Sequence, residues 1–125
     1  MEKYSLDSSF LIDYLQGKEH ARKRYSAIES SSVVAIPSLA RAEVERGLDV
    51  ESGLAKLGNI PFGDEEIRRT GKFFGYLDEQ GNEMKAVDVL IAATAAANHS
   101  ILLTCDADFE KLVGGEDFRV EIIGQ

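Results

Sequence analysis

The side chains of this sequence best suited to chemistry are the carboxylates of Asp7, Glu43, Asp88, Asp106 and Asp108, each lying in or beside a segment that reads as core. Asp7 follows KYSL, Glu43 sits inside SLARAEVERGL, Asp88 interrupts AVDVLIAATAAA, and Asp106 and Asp108 follow SILLTC. An ionised carboxylate costs several kcal/mol to bury unless it is paired, hydrogen-bonded or bound to a metal. Acids packed together repel, and some must hold a proton unless a cation balances them. Hard divalent cations meet that need: Mg²⁺ takes oxygen ligands, keeps several waters, and uses a few carboxylates together with substrate phosphate oxygens. Such an ion polarises a phosphoryl group, lowers the pKa of a bound water and stabilises an in-line transition state, so the chemistry indicated is hydrolysis of a phosphodiester.

Each acid also has a plainer role open to it. Asp7 and Asp106 could be N-caps of the helices that follow them, and Asp88 could cap its own helix. Glu43, among Arg41, Glu45 and Arg46, could be one more solvated charge, and Asp108 could merely favour a helix start. These roles do not explain why several such acids should converge. That depends on the elements that carry them.

KYSL reads as a strand over about 2–6 that turns at Asp7 into a helix with Phe10, Leu11, Tyr14 and Leu15 on one face. A second helix over 19–29 ends at the serines 30–32, and VVAI is then a buried strand. Pro37 suits a helix start, with Leu39, Ala42 and either Val44 or Leu48 turned inward, and a short helix near 50–57 is open. GDEEIRRTGKFFGYLDEQG is a helix with Asp64 as candidate N-cap, Ile67, Phe73, Phe74 and Leu77 apolar, and Gly81 as its stop. AVDVLIAATAAA is a helix, SILLT a buried strand, ADFEKL a short helix and FRVEII a last strand. Strands alternating with helices predict an α/β fold with a mostly parallel sheet covered on both sides, in one domain over 1–125.

Ligands of such folds bind beyond the carboxyl ends of the strands. Asp7 and Asp106 fall at that edge. Asp88 shares a helix face with Ile91, Ala92 and Ala95 and so points inward, and Glu43 lies about a turn and a half into the helix after VVAI, within reach of the same edge.

Composition narrows the function classes. With 44 % hydrophobic and 29 % charged residues the chain is a folding one, with no repeat, linker or low-complexity tract. No apolar run approaches the roughly 18 residues of a membrane span, and MEKYSL lacks a signal-peptide core, which points to the cytoplasm and away from membranes. Cys105 is the single cysteine, so no intramolecular disulfide is available; it is expected to pack as a small apolar residue. His20 and His99 fall on helices without a matching partner, so no zinc centre is expected. The net charge of −8 disfavours a grip on nucleic acid by overall electrostatics. Clustered acids supply much of that charge, however, and a bound cation would neutralise the region a phosphate must approach. The basic groups at 20–24, at Arg41 and Arg46, and at Arg68, Arg69 and Lys72 read as ordinary solvated faces.

Taken together, these residues resemble the PIN-domain ribonucleases, in particular the VapC-type toxins of prokaryotic toxin–antitoxin pairs. The resemblance spans essentially the whole chain: YSLDSSFLIDYL resembles the opening strand and its Asp-x-(Ser/Asn)-x-Leu-Ile motif, IPSLARAEVERGL the Glu-bearing helix, and GNEMKAVDVLIAATAAANHSILLTCDADFEKL the Asp-x-Leu-Ile-Ala-Ala-x-Ala helix, strand and Thr-x-Asp-x-Asp-Phe turn. It implies a three-layer α/β/α PIN-like domain in which Asp7, Glu43, Asp88 and Asp106 surround Mg²⁺ or Mn²⁺, Asp108 is a fifth carboxylate, and Ser9 and Thr104 support them by hydrogen bonds. On this likeness Asp7 and Asp88 are the principal ligands, Asp106 completes the cluster, and Glu43 orients the attacking water or a second ion. It further implies an endoribonuclease that cuts RNA with a metal-activated water, an antitoxin partner that blocks the groove, and a homodimer. Ser9 stands where the family commonly has Asn, and the chain is more acidic than RNA binding favours. A receiver-type Mg²⁺-binding phosphoacceptor is the alternative from another class, although SLDSS carries one acid where paired acids are wanted and VVAIP carries none. A catalytically dead PIN-like binding module is the third reading.

Overall fold

Strand β1 (Lys3–Leu6) occupies the middle of a five-stranded sheet in the computed structural model, which describes residues 1–47 and 57–124. Around it lie β2 (Val33–Pro37), β3 (Gly58–Ile60), β4 (Ile101–Thr104) and β5 (Arg119–Ile122), in the order β3-β2-β1-β4-β5. Every pairing is parallel: Tyr4 stands opposite Val34 on one side and Ile101 on the other. The chain thus winds outward from β1 to β3, crosses back, and winds out again from β4 to β5. The reversal falls between β1 and β4, the topological switch point where ligands of open α/β sheets bind. Receiver domains have the order 2-1-3-4-5, so this topology rules against that alternative.

The helices among the described residues are α1 (Ser8–Leu15), α2 (Glu19–Ile28), α3 (Ser38–Gly47), α4 (Asp64–Gln80) and α5 (Ala86–Ala97), with a 3₁₀ turn over Ala107–Leu112. They complete the expected three-layer α/β/α arrangement. Helix α5 is the innermost: Val89 and every residue from Ile91 to Ala96 are buried, and its alanines let it lie close to both the sheet and α4. Phe10, Phe73, Phe109, Leu102 and Leu103 fill the core around it. Residues buried all round cannot show a periodic pattern, which is why this stretch is apolar almost throughout.

Several local expectations shift. Strand β2 is buried only at its carboxyl end, with Val33 47 % exposed, because just the last three of its residues are covered by the short β3. Strand β3, GNI, carries no apolar run and was not expected. Pro37 closes β2 and α3 begins one residue later. In α3 it is Ala40 and Val44, four apart, that point inward, while Ala42 is exposed and Leu39 half-buried. The N-cap of α4 is Gly63, whose N–H donates to Glu66 Oε1 at 2.8 Å, and Asp64 is the first helical residue. Gly81, at φ 68°, stops α4 as expected, because the left-handed conformation suits glycine. Phe73 and Leu77 are buried, but Ile67 and Phe74 face solvent. His99 lies past the end of α5, in a turn at φ 55° rather than on a helix. The short helix open near 50–57 and the inward Leu48 fall on residues outside the description.

Candidate metal centre

Asp7 is the first residue past β1, and its N–H continues the sheet by donating to Leu103 O at 2.9 Å. This places its carboxylate at the switch point, 2 % exposed. Thr104, last in the neighbouring β4, donates from Oγ1 to Asp7 Oδ2 at 2.7 Å, and Ser9, in the first turn of α1, donates from Oγ at 2.8 Å. The two hydroxyl oxygens also lie 3.0 Å apart, but each has a single proton and both protons are directed at Asp7. As acceptors they take the N–H groups of Cys105 and Asp106, at 2.9 and 3.0 Å. Oδ2 is therefore fully served, whereas the buried Oδ1 has no hydrogen-bond partner among the described residues.

Glu43 reaches the same place from α3, fixed by the Ser8 hydroxyl, which donates to Oε1 at 2.9 Å. Asp88 comes from the first turn of α5, where it is half-buried. One oxygen each from Asp7, Glu43 and Asp88 lies within 4.8 Å of the others. Asp106 acts as a cap: its Oδ1 accepts the Asp108 N–H at 2.9 Å, and its charge still reaches Asp88. Asp108 is exposed and its carboxylate stands 3.5 Å from Lys111 Nζ. The structure thus brings three of the candidate acids together, keeps Asp106 within electrostatic reach, and turns Asp108 outward.

The plainer roles fail for the inner acids. Asp7 occupies the N-cap position of α1 but makes no side-chain cap bond, and the N-cap of α5 is Lys85, not Asp88. Glu43 is half-buried and hydrogen-bonded rather than solvated. Burial pushes the Asp7 carboxyl above its ordinary range, against the pull of the Thr104 and Ser9 hydroxyls and the Ser8 N–H, and the charge of Glu43 adds to the push. Asp88 is pushed up to about 6, first by burial and then by the charges of Asp7, Asp106 and Glu43; Lys85 offsets only part of this. An unpartnered buried oxygen amid convergent carboxylates, with oxygen ligands alone, fits a hard divalent cation.

Several of the described basic residues are engaged within the chain. Arg24 pairs with Glu121, Arg22 stacks over the Tyr14 ring at 4.7 Å, and Arg68 and Arg69 share Glu65. Cys105 packs half-buried against the core as expected, but neither it nor His20 is without a neighbour of matching chemistry. Asp13 Oδ2 lies 2.7 Å from His20 Nε2, and Cys105 Sγ lies 4.0 Å from the same nitrogen. Asp13 and His20 lie seven residues apart on successive helices, but Cys105 joins them from a distant part of the chain, so local spacing could not reveal the whole group. Nor did any spacing single out Ser8 as the residue that holds Glu43, although it belongs to the DSS run beside Asp7.

Among the described residues no helix is long and apolar enough to cross a membrane. The PIN domain family model matches residues 4–115. No curated protein matches the chain. Among solved structures the chain resembles VapBC2 from Rickettsia felis bound to a fragment of its promoter DNA, at 19 % identity over 98 % of this chain and 99 % of that one, with a TM-score of 0.84. It also resembles DNA-bound VapBC from Salmonella typhimurium (24 % identity, 98 % of each chain, TM-score 0.78) and VapBC-5, of the VapBC family of toxin–antitoxin systems, from Mycobacterium tuberculosis (24 % identity, 98 % of each chain, TM-score 0.74). With the sheet order, the acids at its switch point and a family match over nearly the whole length, this chain belongs to the PIN domain family.

Proposed function

We propose that the chain is an Mg²⁺- or Mn²⁺-dependent endoribonuclease acting in the cytoplasm as the toxin of a toxin–antitoxin pair. The observation that carries this reading is Asp7 Oδ1: a buried carboxylate oxygen without a hydrogen-bond partner among the described residues, beside Glu43 and Asp88. Family membership supports nuclease chemistry, and the likeness to structures of VapBC toxin–antitoxin systems supports an antitoxin partner. A homodimer rests on the resemblance alone.

In this reading Asp7, Glu43 and Asp88 hold the ion and Asp106 adds charge beside it. A bound divalent cation supplies polarisation of the phosphodiester and a lowered pKa for an attacking water. The remaining work belongs to the chain's own groups. Ser9 and Thr104 clamp Oδ2, so that Asp7 presents Oδ1 without reorienting. Ser8 holds one oxygen of Glu43 and leaves the other to orient the water or a second ion. Asp108 joins only if it turns away from Lys111. With the acids neutralised, an anionic RNA backbone can approach a surface that otherwise repels it.

The test is cleavage of RNA by the purified chain. Cutting should require Mg²⁺ or Mn²⁺, stop on addition of EDTA, and be lost in Asp7→Asn. Cleavage that persists under chelation, or in that variant, overturns the reading.

A further inference from the structure

We propose that Asp13, His20 and Cys105 form a second metal site, one that takes a thiophilic divalent cation such as Zn²⁺ rather than the hard ion of the acidic cluster. The three residues come from α1, from the first turn of α2 and from the residue after β4, and their ligand atoms all lie within 4.8 Å of one another. They offer one oxygen, one nitrogen and one sulfur, a ligand set suited to zinc and foreign to magnesium. Asp13 and His20 are partly exposed, with side chains 21 % and 36 % accessible, so an ion can enter from solvent.

The arrangement excludes the nearest rival, a Cys-His-Asp nucleophilic relay. Such a relay needs the carboxylate on one ring nitrogen and the thiol on the other. Here Asp13 Oδ2 and Cys105 Sγ both face His20 Nε2, at 2.7 and 4.0 Å. Convergence on one nitrogen suits a shared ion, which would have to displace the thiol proton that burial and a hydrogen bond to Asp13 retain, with the Cys105 thiol pushed up to about 12. Tetrahedral zinc with ordinary bond lengths sets N···O and N···S separations of roughly 3.3 and 3.6 Å, so each contact needs to move by only about half an ångström. Lys18 Nζ, 4.0 Å from Asp13 Oδ1, competes for the carboxylate, and its side chain is 53 % exposed and free to swing away. Gly124, at φ 81°, backs the ring: a Cβ there would lie 3.0 Å from His20 Cδ2 and Nε2. Consecutive residues of the strand end thus serve different clusters, Thr104 the acidic one and Cys105 the mixed one.

Titration of the purified, chelator-stripped chain with Co²⁺ in excess Mg²⁺ tests this, because the Mg²⁺ occupies oxygen-only sites and cobalt bound to a thiolate gives a charge-transfer absorption that carboxylate sites lack. The expected result is that band at one Co²⁺ per chain, its displacement by Zn²⁺, its disappearance in Cys105→Ser, and its weakening by roughly 100-fold or more in affinity in His20→Gln, beyond what losing an outer-shell partner costs. Asp7→Asn should retain the band. No thiolate band in the parent chain, or a band unchanged in His20→Gln, overturns the site even if Cys105→Ser fails to fold.

Discussion

Two groups of carboxylates in this molecule sit in opposite electrostatic situations. On the exposed face of α4, Glu65 accepts from Arg68 and Arg69, one turn on, and these two guanidinium groups draw its carboxyl down to about 2. At the switch point Asp7 and Asp88 are driven upward, chiefly by burial, and the nearby charges that act on them are largely other acids. The acid on α4 is satisfied by its own helix, whereas the acids of the cluster are left short of positive charge by the folded chain. A fold that tolerates such an arrangement gives up stability at one place, and such places are where function is to be sought.

The strongest way to break this contrast is Asp7→Asn. A metal at such a site supplies several kcal/mol of transition-state stabilisation, at tenfold in rate per ~1.4 kcal/mol, so RNA cleavage should fall by about 1,000-fold or more. The same variant removes a buried charge that destabilises the metal-free fold. Its melting temperature without metal should therefore rise, by roughly 3–5 °C for each kcal/mol regained. A lower melting temperature together with lost activity would make Asp7 a structural residue. Next in size, Glu43→Gln keeps the shape and the Ser8 hydrogen bond but removes the charge, and should slow cleavage by roughly 10- to 100-fold. Thr104→Val takes away one donor to Asp7 Oδ2 and should destabilise the protein by about 1–3 kcal/mol, read from denaturant unfolding.

The pH dependence sharpens the contrast because the two signs are opposite. Asp88 has a folded pKa of about 6 against an ordinary 3.8, so its contribution to stability is fully present below about 3.8 and is lost as pH rises through 6. The parent chain without metal should lose stability over that window relative to Asp88→Asn, and Mn²⁺ should restore it. Glu65 behaves the other way: its contribution is present above 4.5 and is lost as pH falls towards 2. The smallest effect belongs to that helix. Glu65→Gln should leave cleavage within about twofold and stability nearly unchanged, because exposed ion pairs contribute little.

Much of this could be read from the chain. Strands of buried β-branched and leucine residues, caps such as Gly81 and the run AVDVLIAATAAA announced their elements, and Asp7 and Asp88 stood out as charges among apolar neighbours. What stayed hidden were properties set by partners distant in sequence. The three-residue β3 has no pattern of its own and exists because β2 offers it an edge. The separation of Asp108 from the inner acids depends on a 3₁₀ turn whose first N–H groups bind Asp106 and whose Lys111 attracts the outer carboxylate. Local spacing likewise says nothing of His20 and Cys105, which meet only once the residue after β4 stands beside α1 and α2.

The central claim is that distant acids share one ion, and crystals soaked in Mn²⁺ test it through the anomalous signal of the metal. A single strong peak about 2 Å from Asp7 Oδ1, with oxygens of Asp88 and Glu43 around it, is the expected result. No peak there at millimolar Mn²⁺, or a peak bound by exposed acids elsewhere while Asp7 Oδ1 stays bare, would contradict it.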